Sequence, residues 1–233
     1  MNKNTTDIKA RRRFLTGVGM LATGATLTAS AQAAGSHNES QTRFIPTRHE
    51  KDAWLEELAA GRGHRAFVDS STGAGGATAL NYANNILLGH REEYGGSDSD
   101  YALIVCFRHR STAFGYVDAV WEKYGEFFSR STGLTAPDSE DALRTNPLNI
   151  DQAVYGNRGN TIDALRARGV RFVVCNKATR SISSALARST GYTAEAIYKE
   201  LVASNIADSR FVPAGVLAAT RSQEYGYSLL SAG

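Results

Sequence analysis

Cys175 is the residue with the most chemistry around it. It closes the run Val170-Arg171-Phe172-Val173-Val174 and stands directly before Asn176-Lys177-Ala178-Thr179-Arg180. Where a strand ends and a helix begins, the sulfur sits at the helix N-terminus. Lys177 and Arg180 are close by in sequence, and both features favour a thiolate. A thiolate held this way is a nucleophile and a sulfur acceptor. The same position also fits an inert cysteine filling the sheet edge, because free cysteine is among the most buried residue types. Cys106, inside the apolar run Tyr101–Phe107, fits the inert role. No C-x-x-C is present, which speaks against zinc and thioredoxin-like chemistry, while a Cys106–Cys175 disulfide stays open.

Two further loops carry ligand-binding residue types. The first is Ser70-Ser71-Thr72-Gly73-Ala74-Gly75-Gly76, placed between a short strand and a helical pattern. Ser71, Gly73, Gly75 and Gly76 are candidate ligand contacts, since glycines allow close backbone approach and a helix start offers unpaired N–H groups to an anion. The spacing is neither G-x-G-x-x-G nor a phosphate loop ending in Gly-Lys-Ser/Thr, so a tight turn is the competing reading. The second is Arg108-His109-Arg110-Ser111-Thr112, just past the second strand, where the basic groups, Arg108 and His109 with Arg110, can meet an anion or simply face water. The five histidines, His37, His49, His64, His90 and His109, lack metal-ligand spacing, so no metal and no cofactor is expected.

The elements that must position these residues alternate. Trp54, Leu55 and Leu58 recur at helical spacing and predict a short helix over 51–60, ended by Gly61-Arg62-Gly63. A strand is predicted at 65–69, with a helix through Ala79, Leu80, Ala83, Ile86 and Leu87. Tyr101–Phe107 reads as a strand covered on both faces, followed by a helix over 116–124. Residues 127–149, with Pro137, Pro147 and many Ser, Thr and Asp, predict an insertion able to cap a pocket. Then come a helix over 160–168, a strand over 170–175, helices over 180–188 and 193–204, a short strand at 211–215 and a helix over 216–225. This order predicts an α/β fold with an open, mostly parallel sheet and helices on both faces.

The N-terminus reads as an address. Arg11-Arg12-Arg13-Phe14-Leu15 leads into an apolar run too short to span a bilayer and then Ala31-Gln32-Ala33, the pattern of a twin-arginine signal peptide over 1–33. The expected partner during export is the twin-arginine translocase, and the expected location is the periplasm or beyond. Residues 34–50 are polar and predict a flexible tail, leaving 51–233 as one domain. Loss of Lys3, Lys9, Arg11, Arg12, Arg13 and Asp7 takes 26 basic and 23 acidic groups to 21 and 22. The formal charge of +3 is thus a property of the leader, and the mature chain carries no basic excess of the kind nucleic acid requires. No later run of about 18 apolar residues predicts a membrane span.

Several segments, in order, resemble the DsrE/DsrF-like family and its exported members. They are Gly63-His64-Arg65-Ala66-Phe67-Val68-Asp69, Ile104-Val105-Cys106-Phe107-Arg108-His109, Asp118-Ala119-Val120-Trp121-Glu122-Lys123-Tyr124, the strand-Cys-helix unit ending at Arg180, Phe211-Val212-Pro213-Ala214-Gly215-Val216, and Arg221-Ser222-Gln223-Glu224-Tyr225-Gly226-Tyr227. The resemblance spans most of 54–227. It implies a flavodoxin-related three-layer sandwich, assembly as a trimer or hexamer, and a cysteine at the place of Cys175 that carries a persulfide in sulfur relay. Export is a departure from the relay members, which act in the cytoplasm, and it leaves the sulfur donor and acceptor unnamed. Three classes therefore stand: a sulfur carrier on Cys175, a noncatalytic module for a small anion or metabolite, and a structural oligomer.

Overall fold

In the computed structural model, residues 45–233 are described. The signal peptide expected at 1–33 and residues 34–44 of the expected tail lie outside the described residues. From Thr47 onward the chain is tied down, because Arg221 donates to the Thr47 carbonyl at 2.7 Å and Arg48 lies over the Tyr225 ring.

Five strands form an all-parallel sheet. They are β1 (His64–Ser70), β2 (Tyr101–Phe107), β3 (Arg171–Cys175), β4 (Arg210–Val212) and β5 (Ser228–Ser231), in the order β4-β3-β2-β1-β5. The helices are α1 (Ala53–Ala59), α2 (Gly73–Tyr94), α3 (Asp118–Thr132), α4 (Ile162–Ala167), α5 (Asn176–Ala187), α6 (Ala194–Ala203) and α7 (Gly215–Glu224).

The pleat divides the core in two. Ala66, Val68, Leu103, Val105, Phe107, Phe172 and Val174 pack with α2 through α6, around Leu80, Trp121, Phe128, Leu186 and Leu201. Their strand neighbours Phe67, Ile104, Cys106, Val173 and Val212 pack against α1 and α7, around Leu55, Ala218 and Tyr225. Strands β1 to β4 step in one direction across the sheet, and α7 returns on the opposite face to place β5 beside β1, as right-handed crossovers demand. The α/β sheet with helices on both faces is the architecture that the alternating pattern predicts.

Helix α5 begins at Asn176, four residues before its predicted start, and two larger differences concern the chain after Phe127 and after Glu224. The expected insertion at 127–149 begins later, because 127–132 are the last turns of α3. Phe128 is fully buried there, and Thr132 returns its hydroxyl to the Phe128 carbonyl at 2.8 Å. Gly133, at φ 75°, ends the helix in the left-handed region that glycine tolerates. The irregular stretch after it packs on α3 and the turn before it: Ser129 Oγ accepts from the Leu143 N–H, and Asn146 donates to the Phe114 and Tyr116 carbonyls. The second difference is β5, which the sequence reading lacks.

Candidate functional site

The chemistry collects at the carboxyl ends of β1 to β4, where open α/β sheets bind ligands. Cys175 is the last residue of β3 and the N-cap of α5, so no loop separates strand from helix. Strand alternation turns its side chain to the face of Val173, toward α7. There the chain leaves β4 through Pro213 and Ala214, and α7 opens at Gly215, whose N–H donates to Cys175 Sγ at 3.2 Å. Two helix N-termini thus converge on one sulfur, each contributing partial positive charge where a thiolate would sit. The thiol is 6% exposed and forms part of the wall of an open cavity of about 530 Å³.

The cavity wall comes from four elements. Helix α5 supplies Lys177, Ser181 and Ile182, α3 supplies Phe127 and Ser131, the turn after β2 supplies Arg108, His109 and Arg110, and the start of α7 supplies Gly215 and Val216. Arg108 is held from behind. Its Nε and Nη2 donate to the two carboxylate oxygens of Asp69 at 2.8 and 2.7 Å, joining the ends of β1 and β2. The same ion pair raises the Arg108 pKa, with the hydrogen bond to Asp69 as the main cause. The buried Ser111 hydroxyl fixes the turn by donating toward the Ser70 carbonyl at 2.9 Å and accepting from the Arg108 N–H at 3.0 Å. His109 takes a left-handed φ of 54°, an uncommon conformation for a non-glycine residue, and is exposed at the cavity rim.

Cys106 lies on the same face, in register with Val173 and therefore two residues short of Cys175. It is fully buried, and burial, followed by the negative charge of Asp69, pushes its thiol well up from the ordinary range. Both cysteines are free. Two residues rise about 6.6 Å along a parallel strand and neighbouring strands lie about 4.8 Å apart, a diagonal of about 8 Å, longer than the separation a disulfide ordinarily bridges.

The structure thus brings Cys175, Lys177, Arg108 and His109 around one cavity. Arg180 is elsewhere: its guanidinium lies 4.0 Å from the centre of the Tyr198 ring on α6, so it does not serve the sulfur. The glycine loop is also elsewhere, since α2 begins at Gly73 and Gly73, Gly75 and Gly76 are buried in its first turn. A Cβ on them would strike the Thr132 carbonyl, the Gly233 carbonyl and the Phe114 ring respectively. Of the N–H groups expected to await an anion, those of Ser71, Gly75 and Gly76 are engaged, the last by the Thr72 carbonyl at 3.0 Å. Thr72 Oγ1 accepts from the Gly75 N–H at 2.8 Å, and the Ser71 N–H and hydroxyl both donate to the Gly233 carbonyl.

Asp69, Phe127, Ser131 and Gly215 enter the site beyond the sequence candidates. A signal existed for the first, because Asp69 ends an apolar strand as Arg108 follows the next one. Among the described residues no cluster of His, Cys, Asp or Glu is placed to hold a metal, and no helix is long and apolar enough to cross a membrane. Compared with protein-family models, with curated proteins and with solved structures, the chain matches none of them, so the site stands on its own geometry.

Proposed function

We propose that the protein is an exported carrier of sulfane sulfur, with Cys175 as the sulfur acceptor. The observation that carries this reading is the sulfur at the meeting point of α5 and α7, hydrogen-bonded by the Gly215 N–H and open to a cavity. Helix starts favour a thiolate, which attacks a sulfane sulfur to leave a Cys175 persulfide. Cys106 is neither nucleophile nor acceptor here, being buried and held in its thiol form. The thiol that removes the sulfur therefore comes from outside, through the cavity mouth. The resemblance to DsrE/DsrF-like proteins points to the same cysteine, and the twin-arginine leader to export. Assembly as a trimer or hexamer belongs to the same reading, with the exposed Leu217 of α7 as a candidate contact residue.

The test is intact mass of the non-reduced protein before and after a sulfane sulfur donor, with mapping of the modified residue. A gain of about 32 Da, one sulfur atom, is expected on Cys175. Cys175→Ala abolishes it and Cys106→Ala retains it. Gain on Cys106, or on neither cysteine, removes the carrier reading.

A binding module for a small anion is the second reading, favoured by Arg110 and Lys177 on a cavity wall that holds no carboxylate among the described residues. It predicts a ligand-dependent rise in thermal midpoint that survives Cys175→Ala.

A further inference from the structure

We infer that the sulfur donor is a low-molecular-weight organic persulfide bearing carboxylates. This rests on Cys175 as the sulfur acceptor and names the substrate class for that site. The cavity has two kinds of wall. Phe127, Ile182 and Val216 supply apolar surface beside the sulfur, while Arg110 and Lys177 stand at exposed positions on the rim. Among the described residues neither of these two cations has a carboxylate partner, whereas Arg108 is already committed to Asp69.

An inorganic dianion such as thiosulfate gains from the cations but loses hydration against the apolar wall. An apolar polysulfide gains from the wall and leaves the cations unused. A molecule with an organic body and peripheral carboxylates uses both. About 530 Å³ is within the range of cavities that enclose small organic ligands.

The chemistry closes without a further reagent. Cys175, as thiolate, attacks the terminal sulfur of R–S–SH; a bond forms between Sγ and that sulfur, the donor's S–S bond breaks, and R–S⁻ leaves. The products are the Cys175 persulfide, which keeps the donor's hydrogen, and one thiolate, so atoms and charge balance and the sulfane sulfur keeps its oxidation level.

The experiment follows the rate of mass gain on Cys175 with three donors at equal concentration: glutathione persulfide, which carries two carboxylates, cysteamine persulfide, which is cationic, and thiosulfate. The expected result is that glutathione persulfide loads fastest, by about fivefold or more, and that this preference shrinks to about twofold in the Arg110→Gln, Lys177→Gln double variant. Both positions are exposed, so the variant keeps its fold, checked by its thermal midpoint. Equal rates for the two organic donors, or faster loading by thiosulfate, overturn the donor class and leave the carrier intact. Loading by none of the three overturns the carrier reading itself. Calorimetry of S-methylglutathione with Cys175→Ser provides a readout free of sulfur transfer: weaker binding after removal of the two cations supports the class, and unchanged binding refutes it.

Discussion

Gly215→Ala tests the convergence of two helices on the Cys175 sulfur with a single methyl group. A Cβ at Gly215 would lie 2.7 Å from Arg108 Cβ and 3.1 Å from both Arg108 Cδ and Cys106 Sγ. The closest of these atoms is the root of a side chain pinned by Asp69, so it cannot swing aside, and the start of α7 must retreat. Retreat lengthens the 3.2 Å bond from the Gly215 N–H to Cys175 Sγ. A hydrogen bond to a charged group is worth about 1.5–3 kcal/mol, and lengthening it removes a part of that from the attacking sulfur. A loss of about 0.8–1.6 kcal/mol lowers the alkylation rate by about four- to fifteenfold. The assay is alkylation by iodoacetamide at one fixed pH for both proteins, read by mass on Cys175. Crowding also costs about 1–3 kcal/mol of stability, which urea unfolding reports separately. A variant that loses this stability yet alkylates at the wild-type rate refutes the role of the Gly215 N–H. Cys106→Ala added to Gly215→Ala should recover little of the rate, because the shorter contact is with Arg108.

Three other predictions concern the scaffold. Gly73→Ala drives a Cβ into the Thr132 carbonyl and should cost about 2–3 kcal/mol or more, whereas Gly89→Ala in the same helix has open space and should gain about 0.5–1 kcal/mol. Thermal midpoints should move in opposite directions, by about 2–4 °C per kcal/mol, and a tolerated Gly73→Ala would sink the packing account of the glycines. In the native state iodoacetamide should label Cys175 while Cys106 labels only as the protein unfolds, so equal labelling in buffer removes the distinction between them. Tyr227 is buried, with its hydroxyl donating to the Leu55 carbonyl at 2.8 Å, and burial pushes its pKa up to about 12 against the opposing pull of Arg65 and Arg62. Because the unfolded phenol titrates near 10, the stability this group contributes is whole below that pH and is lost as pH rises toward 12, by at most about 3 kcal/mol. Tyr227→Phe should be less stable by about 1 kcal/mol at pH 8 and overtake the wild type near about pH 11; parallel curves would exclude this titration.

Some of this architecture was legible because a local pattern and a tertiary fact agreed. Tyr101–Phe107 is a seven-residue apolar run, and β2 is the central strand, buried on both faces over that same range. Cys175 stood between a β-branched run and a helical pattern, and it is both the end of β3 and the cap of α5. The glycines misled because glycine is a poor helix former, so a helix starting at Gly73 is visible only once Thr132 and Phe114 are in place to demand the missing side chains. Strand β5 is four residues, Ser-Leu-Leu-Ser, with Leu229 exposed at the sheet edge, and nothing local distinguishes it from a tail. Arg180 was the avoidable error. The cavity face of α5 is set by Lys177, Ala178, Ser181, Ile182 and Ala185, and at 100° per residue Arg180 points about 130° away from its centre.

Why one cysteine reaches the cavity and the other does not is a matter of register. Both end up on the α7 face of neighbouring strands, both lie near Gly215, and both sit in apolar runs. Pairing Cys106 with Val173 puts Cys175 two residues further along the strand direction, beyond the last pair of β2 with β3, Phe107 with Val174. That offset moves one sulfur past the rim of the sheet to the mouth between α5 and α7, and leaves the other beneath Gly215 with Asp69 beside it in the next strand. A one-residue slip of β3 would turn Cys175 onto the opposite face, into the space that Val174 fills against α5. The reactivity assigned to Cys175 is therefore a consequence of strand pairing more than of its neighbours in sequence. Lys177 and Arg180 single out Cys175 in the sequence, whereas the contact to its sulfur comes from the Gly215 N–H, 40 residues away.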